Sequence, residues 1–83
     1  MKLFILTYDL RNQKDYPKLY DELNRFGAKP ILESTWCMNL HDSNTAVMVR
    51  DHYAKFIDSD DAIMVSEVTS WASRNVKNTP KDL

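Results

Sequence analysis

The fold is decided by residues 2–27, which read KLFILTYDLRNQKDYPKLYDELNRFG. The stretch 2–9 is apolar, aromatic and β-branched, and it carries bulky side chains at both odd and even positions. A strand covered on one face would alternate, so this run predicts a central strand with both faces covered. Residues 10–14 follow as a polar loop.

A helix is predicted next, because apolar side chains recur every three or four residues and form one stripe. The stripe consists of Tyr16, Leu19, Tyr20, Leu23 and Phe26. Asp15 suits the N-cap, and Pro17 suits the first turn, where a missing N–H group costs nothing. Gly27 stands where a left-handed residue closes a helix.

The rest of the chain continues with two strands, a second helix and a last strand. These elements are predicted in residues 28–40 (with a tight turn near Glu33 and Ser34), 46–57 and 62–68. The resulting order, β-α-β-β-α-β, is the α+β ferredoxin-like plan, an antiparallel sheet with both helices on one face. Residues 1–70 are expected to form this domain. Residues 71–83 are expected to be a polar tail or a short edge strand around Trp71.

The second face of such a sheet is expected to be apolar and open. On this face we expect Trp36, Met38, Met64 and the side chains of one parity of the first strand. Exposing so many apolar side chains to solvent is unfavourable. A chain of 83 residues also buries only about 60–65% of the surface that it exposes when unfolded. The sequence therefore predicts a twofold homodimer, in which a partner sheet covers this face.

Composition excludes several classes of function. The 11 basic and 12 acidic residues give a net charge of −1, which excludes indiscriminate attraction to a phosphate backbone but not a local basic patch. The single cysteine, Cys37, excludes an intrachain disulfide and a thiolate zinc cluster. The single glycine, Gly27, excludes a P-loop and a dinucleotide fingerprint. No targeting signal is visible, so a cytoplasmic protein is expected.

Asp9 is the strongest candidate for a functional residue. It ends the first strand, and loops at the carboxyl ends of central strands are common places for sites. Two interpretations stay open: Asp9 caps the following loop, or two copies meet across a twofold axis and hold Mg²⁺ or Mn²⁺. In the second case Arg11 and Lys14 would hold a phosphate backbone nearby. Lys18 and Arg25, seven apart on one helix face, extend this nucleic-acid-binding patch or are ordinary solvated charges.

The other residues with reactive side chains have plainer interpretations. Cys37 is expected to be a buried small hydrophobe, and His41 and His52 do not have the spacing of zinc ligands. We expect His52 to be solvated or partly packed. The acidic stretch 58–61 lacks the Gly and Glu positions of a calcium loop and is expected to be a helix-to-strand turn.

Several short motifs of this chain recur, in the same order, in one known family. They are Tyr8-Asp9-Leu10, Tyr16-Pro17-Lys18-Leu19-Tyr20 with Gly27, Ser34-Thr35-Trp36, Val49-Arg50-Asp51-His52 and Phe56-Ile57-Asp58-Ser59-Asp60-Asp61. Over residues 1 to about 70 the chain resembles the small CRISPR-associated protein called "Cas two", and more closely its stand-alone SinR-like relatives. The virulence-associated protein D toxins are a more distant resemblance.

The resemblance implies a ferredoxin-like homodimer with endonuclease activity on RNA or DNA. In it Asp9 is the catalytic residue and metal ligand, paired across the twofold axis on Mg²⁺ or Mn²⁺. The resemblance equally implies an alternative, a non-catalytic nucleic-acid-binding or scaffold dimer in CRISPR adaptation or in phage and plasmid defence. A third hypothesis is a small regulatory dimer that touches no nucleic acid.

Two departures from the family pattern argue against work with an integrase subunit. The family's Gln-x-Ser-Val-Phe-like step is replaced by residues 32–36, Leu-Glu-Ser-Thr-Trp, which introduces Glu33. The C-terminal region, which often adds a strand in the family, is polar and weakly β-forming here.

Overall fold

The computed structural model describes residues 1–11 and 15–83, leaving aside the side chain of Asp15, and forms a four-stranded sheet with two helices. The strands are β1 (Lys2–Asp9), β2 (Lys29–Leu32), β3 (Thr35–Leu40) and β4 (Ala62–Val68), and the helices are α1 (Asp15–Arg25) and α2 (Ala46–Ala54). A short 3-10 helix, Pro80–Asp82, ends the chain. No helix in the described part of the chain is long and apolar enough to cross a membrane.

The sheet has the order β2-β3-β1-β4, and each neighbouring pair of strands is antiparallel. β1 therefore lies inside the sheet, between β3 and β4, as its two-sided apolar pattern predicts. The turn between β2 and β3 falls at Glu33 and Ser34, also as predicted. The observed order confirms the ferredoxin-like α+β fold.

The main core lies between the sheet and the two helices. The even-numbered side chains of β1 meet Leu19 and Leu23 of α1 and Val49 and Tyr53 of α2 in one buried cluster. Because the helices of this fold come from opposite halves of the sequence, this cluster is what joins the two halves. Each large aliphatic side chain buried in this way contributes roughly 1.5–3 kcal/mol of hydrophobic stabilisation.

The expectation that Trp36 and Met38 lie on the open face is wrong. The register pairs Leu6 with Trp36 and Phe4 with Met38, so both β3 side chains share the helix-covered face of β1. Both are buried in the main core. Met64, the third residue expected on the open face, is paired with Thr7 and is 68% exposed.

The second face of the sheet is covered in part by the C-terminal segment, residues 71–83. The Lys77 amide donates to the Ile31 carbonyl at 2.9 Å, and the Asn78 side-chain amide donates to the Pro30 carbonyl at 2.9 Å. This segment contains no strand around Trp71. Cys37, on the face opposite the main core, is fully buried as expected, and burial raises the pKa of its thiol.

The ends of both helices follow from local chemistry. Gly27 has φ +72, the left-handed conformation predicted for the residue that closes α1. The prediction that Phe26 belongs to the buried stripe of α1 is wrong, because Phe26 lies beyond the end of α1 and is 43% exposed. Thr45 is the N-cap of α2, and its hydroxyl accepts a hydrogen bond from the Met48 amide at 3.2 Å.

Candidate nucleic-acid and metal site

Asp9 lies at the carboxyl end of the central strand, with an exposed side chain. It is the last residue of β1 and is paired with Ala62, the first residue of β4. Its carboxylate makes no hydrogen bond or ion pair with any residue that the structure describes. The alternative in which Asp9 caps the following loop falls on residues 12–14, which lie outside the described residues.

Asp61 caps backbone groups at this end of the sheet. One of its carboxylate oxygens accepts from the Arg11 amide at 2.6 Å, and the other accepts from the Asp58 amide at 2.9 Å. The Arg11 guanidinium donates to the Asp60 carbonyl. Residues 58–61 are thus a turn, as expected, and Asp61 ties this turn to the chain leaving β1. No local pattern in the sequence indicates this pairing between residues 50 positions apart.

A cluster of tyrosines packs beside Asp9 on the helix-covered face. The hydroxyls of Tyr8 and Tyr20 share a hydrogen bond of 2.6 Å, and the Tyr8 hydroxyl also donates to the Glu33 carbonyl at 3.1 Å. The rings of Tyr8 and Tyr16 meet edge to face at 5.8 Å. Burial, followed by the bond to Tyr20, raises the pKa of Tyr8 well above its usual value. These contacts fix the strand end from which Asp9 projects.

The carboxylate of Asp9 would be a small part of a metal site. Within the described residues, no three His, Cys, Asp or Glu side chains lie close enough together to hold a metal ion. Mg²⁺ is nevertheless commonly held by one or two carboxylates together with water and substrate phosphate oxygens. A single Asp9 fits half of such a set, and a second copy of the chain would have to supply the other carboxylate.

Of the basic residues predicted to bind nucleic acid, the structure describes one before α1 and two on it. Arg11 lies two residues beyond Asp9, and Lys18 is an exposed residue of α1. Arg25 lies in the last turn of α1, about 15 Å along the helix from its first residue. Its guanidinium contacts Glu22 and lies 5.6 Å from the centre of the Phe26 ring. Lys14 lies outside the described residues.

The sequence matches the family described as CRISPR associated protein Cas2 over residues 1–76. That range includes all four strands and both helices, together with the first part of the C-terminal segment. The chain belongs to the Cas2 family. This membership confirms the resemblance drawn from the short motifs and gives the chain a CRISPR-associated role.

This Cas2 family member also contains a polar cluster that sequence reasoning missed. Glu22 of α1 is 5% exposed, and its carboxylate contacts His52 Nε2 of α2 at 2.5 Å and Arg25 Nη1 at 3.4 Å. Burial opposes ionisation of Glu22, but the hydrogen bond from His52 and the nearby Arg25 outweigh it and lower the pKa of Glu22. The cluster links the two helices at the end of α1 remote from Asp9.

Helical spacing alone gave no reason to pair these residues. Glu22 adjoins Leu23 of the apolar stripe, and His52 adjoins the buried Tyr53. That adjacency predicts partial burial for both, and the ring of His52 does pack against Phe26, Tyr53 and Phe56. A charged residue bordering a buried stripe on each helix is the signal that could have suggested the pair.

Proposed function

We propose that this Cas2 family chain acts as a homodimer that hydrolyses phosphodiester bonds in RNA or DNA, with Asp9 of each copy holding Mg²⁺ or Mn²⁺. The observation that carries the proposal is the state of Asp9. Its carboxylate is exposed at the carboxyl end of the central strand and has no partner among the described residues. A carboxylate placed in this way is available to a ligand.

A second copy is part of the proposal because one carboxylate is a weak metal site. Proteins of this family act as dimers. Among the residues that the structure describes, β4 has a neighbouring strand on one side only, and it carries the exposed Met64 close to the Asp9 end of the sheet. If two Asp9 side chains approach each other, their like charges disfavour joint ionisation unless a divalent cation lies between them.

The chemistry then divides between the ion and the protein. A bound divalent ion would activate a water molecule and stabilise charge on the phosphate in the transition state. Asp9 would hold the ion at a strand end fixed by Tyr8 and Asp61. Arg11 and Lys18, exposed on the same half of the chain, would hold the phosphate backbone.

The competing proposal is a scaffold dimer that binds nucleic acid without cleaving it. It is supported by the single carboxylate that one chain places at this strand end, since binding a duplex needs phosphate contacts and no metal. The two proposals differ in what Asp9 does. A nuclease depends on this carboxylate, whereas a scaffold binds duplex with a salt dependence set by its phosphate contacts and is indifferent to Asp9.

The test is a cleavage assay with labelled RNA and duplex DNA in Mg²⁺, Mn²⁺ or EDTA. The variants are Asp9→Asn and, as a matched control, Asp60→Asn, an exposed carboxylate of the nearby turn. We expect metal-dependent cleavage by the wild type and by Asp60→Asn. We expect a loss on the order of 100-fold in Asp9→Asn, because a metal ligand is removed.

Light scattering on each variant checks that the dimer is kept. Equal cleavage by Asp9→Asn and wild type would show that the site is elsewhere or that the activity is a contaminant. Duplex binding without cleavage by any variant would replace the nuclease with the scaffold. If the protein neither binds nor cleaves nucleic acid, the remaining hypothesis is a regulatory dimer.

A further inference from the structure

A groove of about 460 Å³ opens between α2 and the end of α1, away from Asp9. Sites for small organic molecules commonly have volumes of about 300–1,000 Å³. The residues that matter for its chemistry are Phe26, Leu40, Asn44, Met48, His52 and Lys55. Because the whole length of α1 separates it from Asp9, this groove is independent of the site proposed for cleavage.

Two large apolar side chains form walls of the groove and remain exposed. Phe26, beyond the end of α1, is 43% exposed, and Met48, in the first turns of α2, is 51% exposed. Leu40 adds a half-buried apolar surface between them. Large apolar side chains that are exposed around one concavity mark a binding surface. A flat ring placed between Phe26 and Met48 would cover both.

The polar part of the groove is built around His52. Its Nε2 atom contacts the buried carboxylate of Glu22, while its Nδ1 atom makes no hydrogen bond within the described part of the chain. The ring is 36% exposed and lines the groove. A carboxylate on one ring nitrogen fixes the orientation of an imidazole and leaves the other nitrogen for a ligand. Arg25 supports the same carboxylate from the other side.

One end of the groove carries the positive charge of a lysine. Lys55, just beyond α2, has no ion pair among the residues that the structure describes. Asp51 also lines the groove, but its carboxylate is bound to Arg50 at 2.8 Å, so its charge is compensated. At the opposite end of α2, the Asn44 side-chain nitrogen donates to the His41 carbonyl at 3.1 Å, which leaves its second N–H group and its oxygen for a polar ring edge.

We propose that this groove binds a nucleoside monophosphate, either free or as the terminal nucleotide of a strand. The base lies between Phe26 and Met48, and the phosphate is held by Lys55. The Nδ1 atom of His52 and the amide of Asn44 bond the polar atoms of the nucleoside. This class of ligand combines a flat ring, a polar edge and an anionic end, and the groove offers a partner for each.

The test is an NMR titration of the ¹⁵N-labelled full chain with adenosine monophosphate, without divalent metal. We expect saturable shifts at the backbone amides of residues 44, 48, 52 and 55, and a change in the ¹⁵N shift of the His52 Nδ1 atom. A histidine that only links two helices would not change in this way. Adenosine and inorganic phosphate, each lacking one half of the ligand, are expected to bind more weakly than the monophosphate.

Matched variants locate the site. Met48→Ala and Lys55→Gln are expected to weaken binding roughly tenfold each, through lost stacking cover and a lost charge-assisted hydrogen bond. Val47→Ala is the control for the first, because Val47 is an equally exposed residue of the same helix outside this groove. Lys81→Gln is the control for the second, because Lys81 is an exposed lysine of the C-terminal segment. Both controls are expected to bind like the wild type.

The source of the ligand is decided by a short single strand with and without a 5′-phosphate. Tighter binding of the phosphorylated strand than of the monophosphate identifies a chain end, and tighter binding of the monophosphate identifies a free nucleotide. The proposal is overturned if no saturable shifts occur at the groove, or if Met48→Ala and Lys55→Gln bind like the wild type. Because the titration needs neither metal nor Asp9, failure of the nuclease proposal would leave its result unchanged.

Discussion

Two carboxylates near the two ends of α1 are treated in opposite ways by this fold. Asp9 is exposed and has no partner in the described part of the chain, whereas Glu22 is 5% exposed and contacts both His52 and Arg25. A buried charge destabilises a protein unless it is paired, so the partners of Glu22 are a requirement of its burial. An exposed and unpaired carboxylate contributes little to folding, which leaves Asp9 available for a ligand.

The surroundings of the two carboxylates differ in the same sense. Asp9 is positioned by the backbone of β1, and Asp61 holds that end through two backbone amides. Glu22 is positioned by side chains of both helices. The negative charge of Glu22 also acts on Tyr53 in the core. Burial, and after it the charge of Glu22, raises the pKa of Tyr53 to about 12. Side-chain substitutions are therefore expected to disturb the surroundings of Glu22, whereas the position of Asp9 depends on the backbone of β1 and of the neighbouring loops.

The largest difference is expected between Glu22→Ala and Asp9→Ala. Glu22→Ala should lower the midpoint of urea unfolding clearly, because it leaves a cavity and removes the buried partner of His52 and Arg25. Asp9→Ala should change the free energy of unfolding by no more than about 0.5 kcal/mol. Equal effects of the two substitutions would remove the contrast on which the assignment of Asp9 depends.

A double-mutant cycle sharpens this result. If Glu22 and His52 stabilise the fold through their contact, Glu22→Ala and His52→Ala together should destabilise less than the sum of the two single changes. Strict additivity would mean that each residue acts through packing alone.

A smaller effect is expected at the Asp9 end, from Asp61→Ala. Two backbone amides lose their acceptor, a loss comparable to that of a helix N-cap, so the cost should be roughly 1 kcal/mol. Asp60→Ala is the matched control, since Asp60 contacts Arg11 through its backbone carbonyl. Faster hydrogen exchange of the Arg11 amide in Asp61→Ala alone would locate the change. Exchange unaltered by Asp61→Ala would show that the loop is held by other contacts.

The order of elements could be predicted from the sequence because it depends on local periodicity. Apolar residues at both parities identify β1, a stripe every three or four residues identifies α1, and a left-handed Gly27 ends it. These signals need no knowledge of distant residues. The exposed position of Asp9 follows in the same way, from its place at the end of a central strand.

What depends on pairing between distant segments could not be predicted. The face occupied by Trp36 and Met38 is set by the register of β3 on β1, and a shift of one residue would reverse it. The contacts of Asp61 with Arg11 and of Glu22 with His52 join residues 50 and 30 positions apart. The sequence predicts a turn for residues 58–61 and a solvated or partly packed His52, and only the tertiary fold shows which partners these residues have.

The smallest effect is expected in how the free energy of unfolding changes with acid. The comparison here is between Glu22 and Asp42, a second carboxylate with a lowered pKa. The N-terminal ammonium lies 2.9 Å from Asp42 Oδ1, and its hydrogen bond and charge lower the pKa of Asp42. Each carboxylate is more acidic in the folded state than its ordinary value, 4.5 for Glu22 and 3.8 for Asp42. Each therefore stabilises the fold above that ordinary value, and the contribution is lost as the pH falls through the folded pKa.

Exposure decides which of the two matters more for this acid response. The side chain of Asp42 is 71% exposed and its ammonium partner 63%, so water screens the pair, whereas Glu22 is shielded. Glu22→Gln, which keeps an acceptor for His52, should flatten the fall in unfolding free energy between neutral pH and about pH 3 more than Asp42→Asn does. Urea unfolding of both variants across this range measures the difference. If Asp42→Asn flattens the curve as much, then pairing alone, and not burial, distinguishes Glu22 from the exposed carboxylates of the chain.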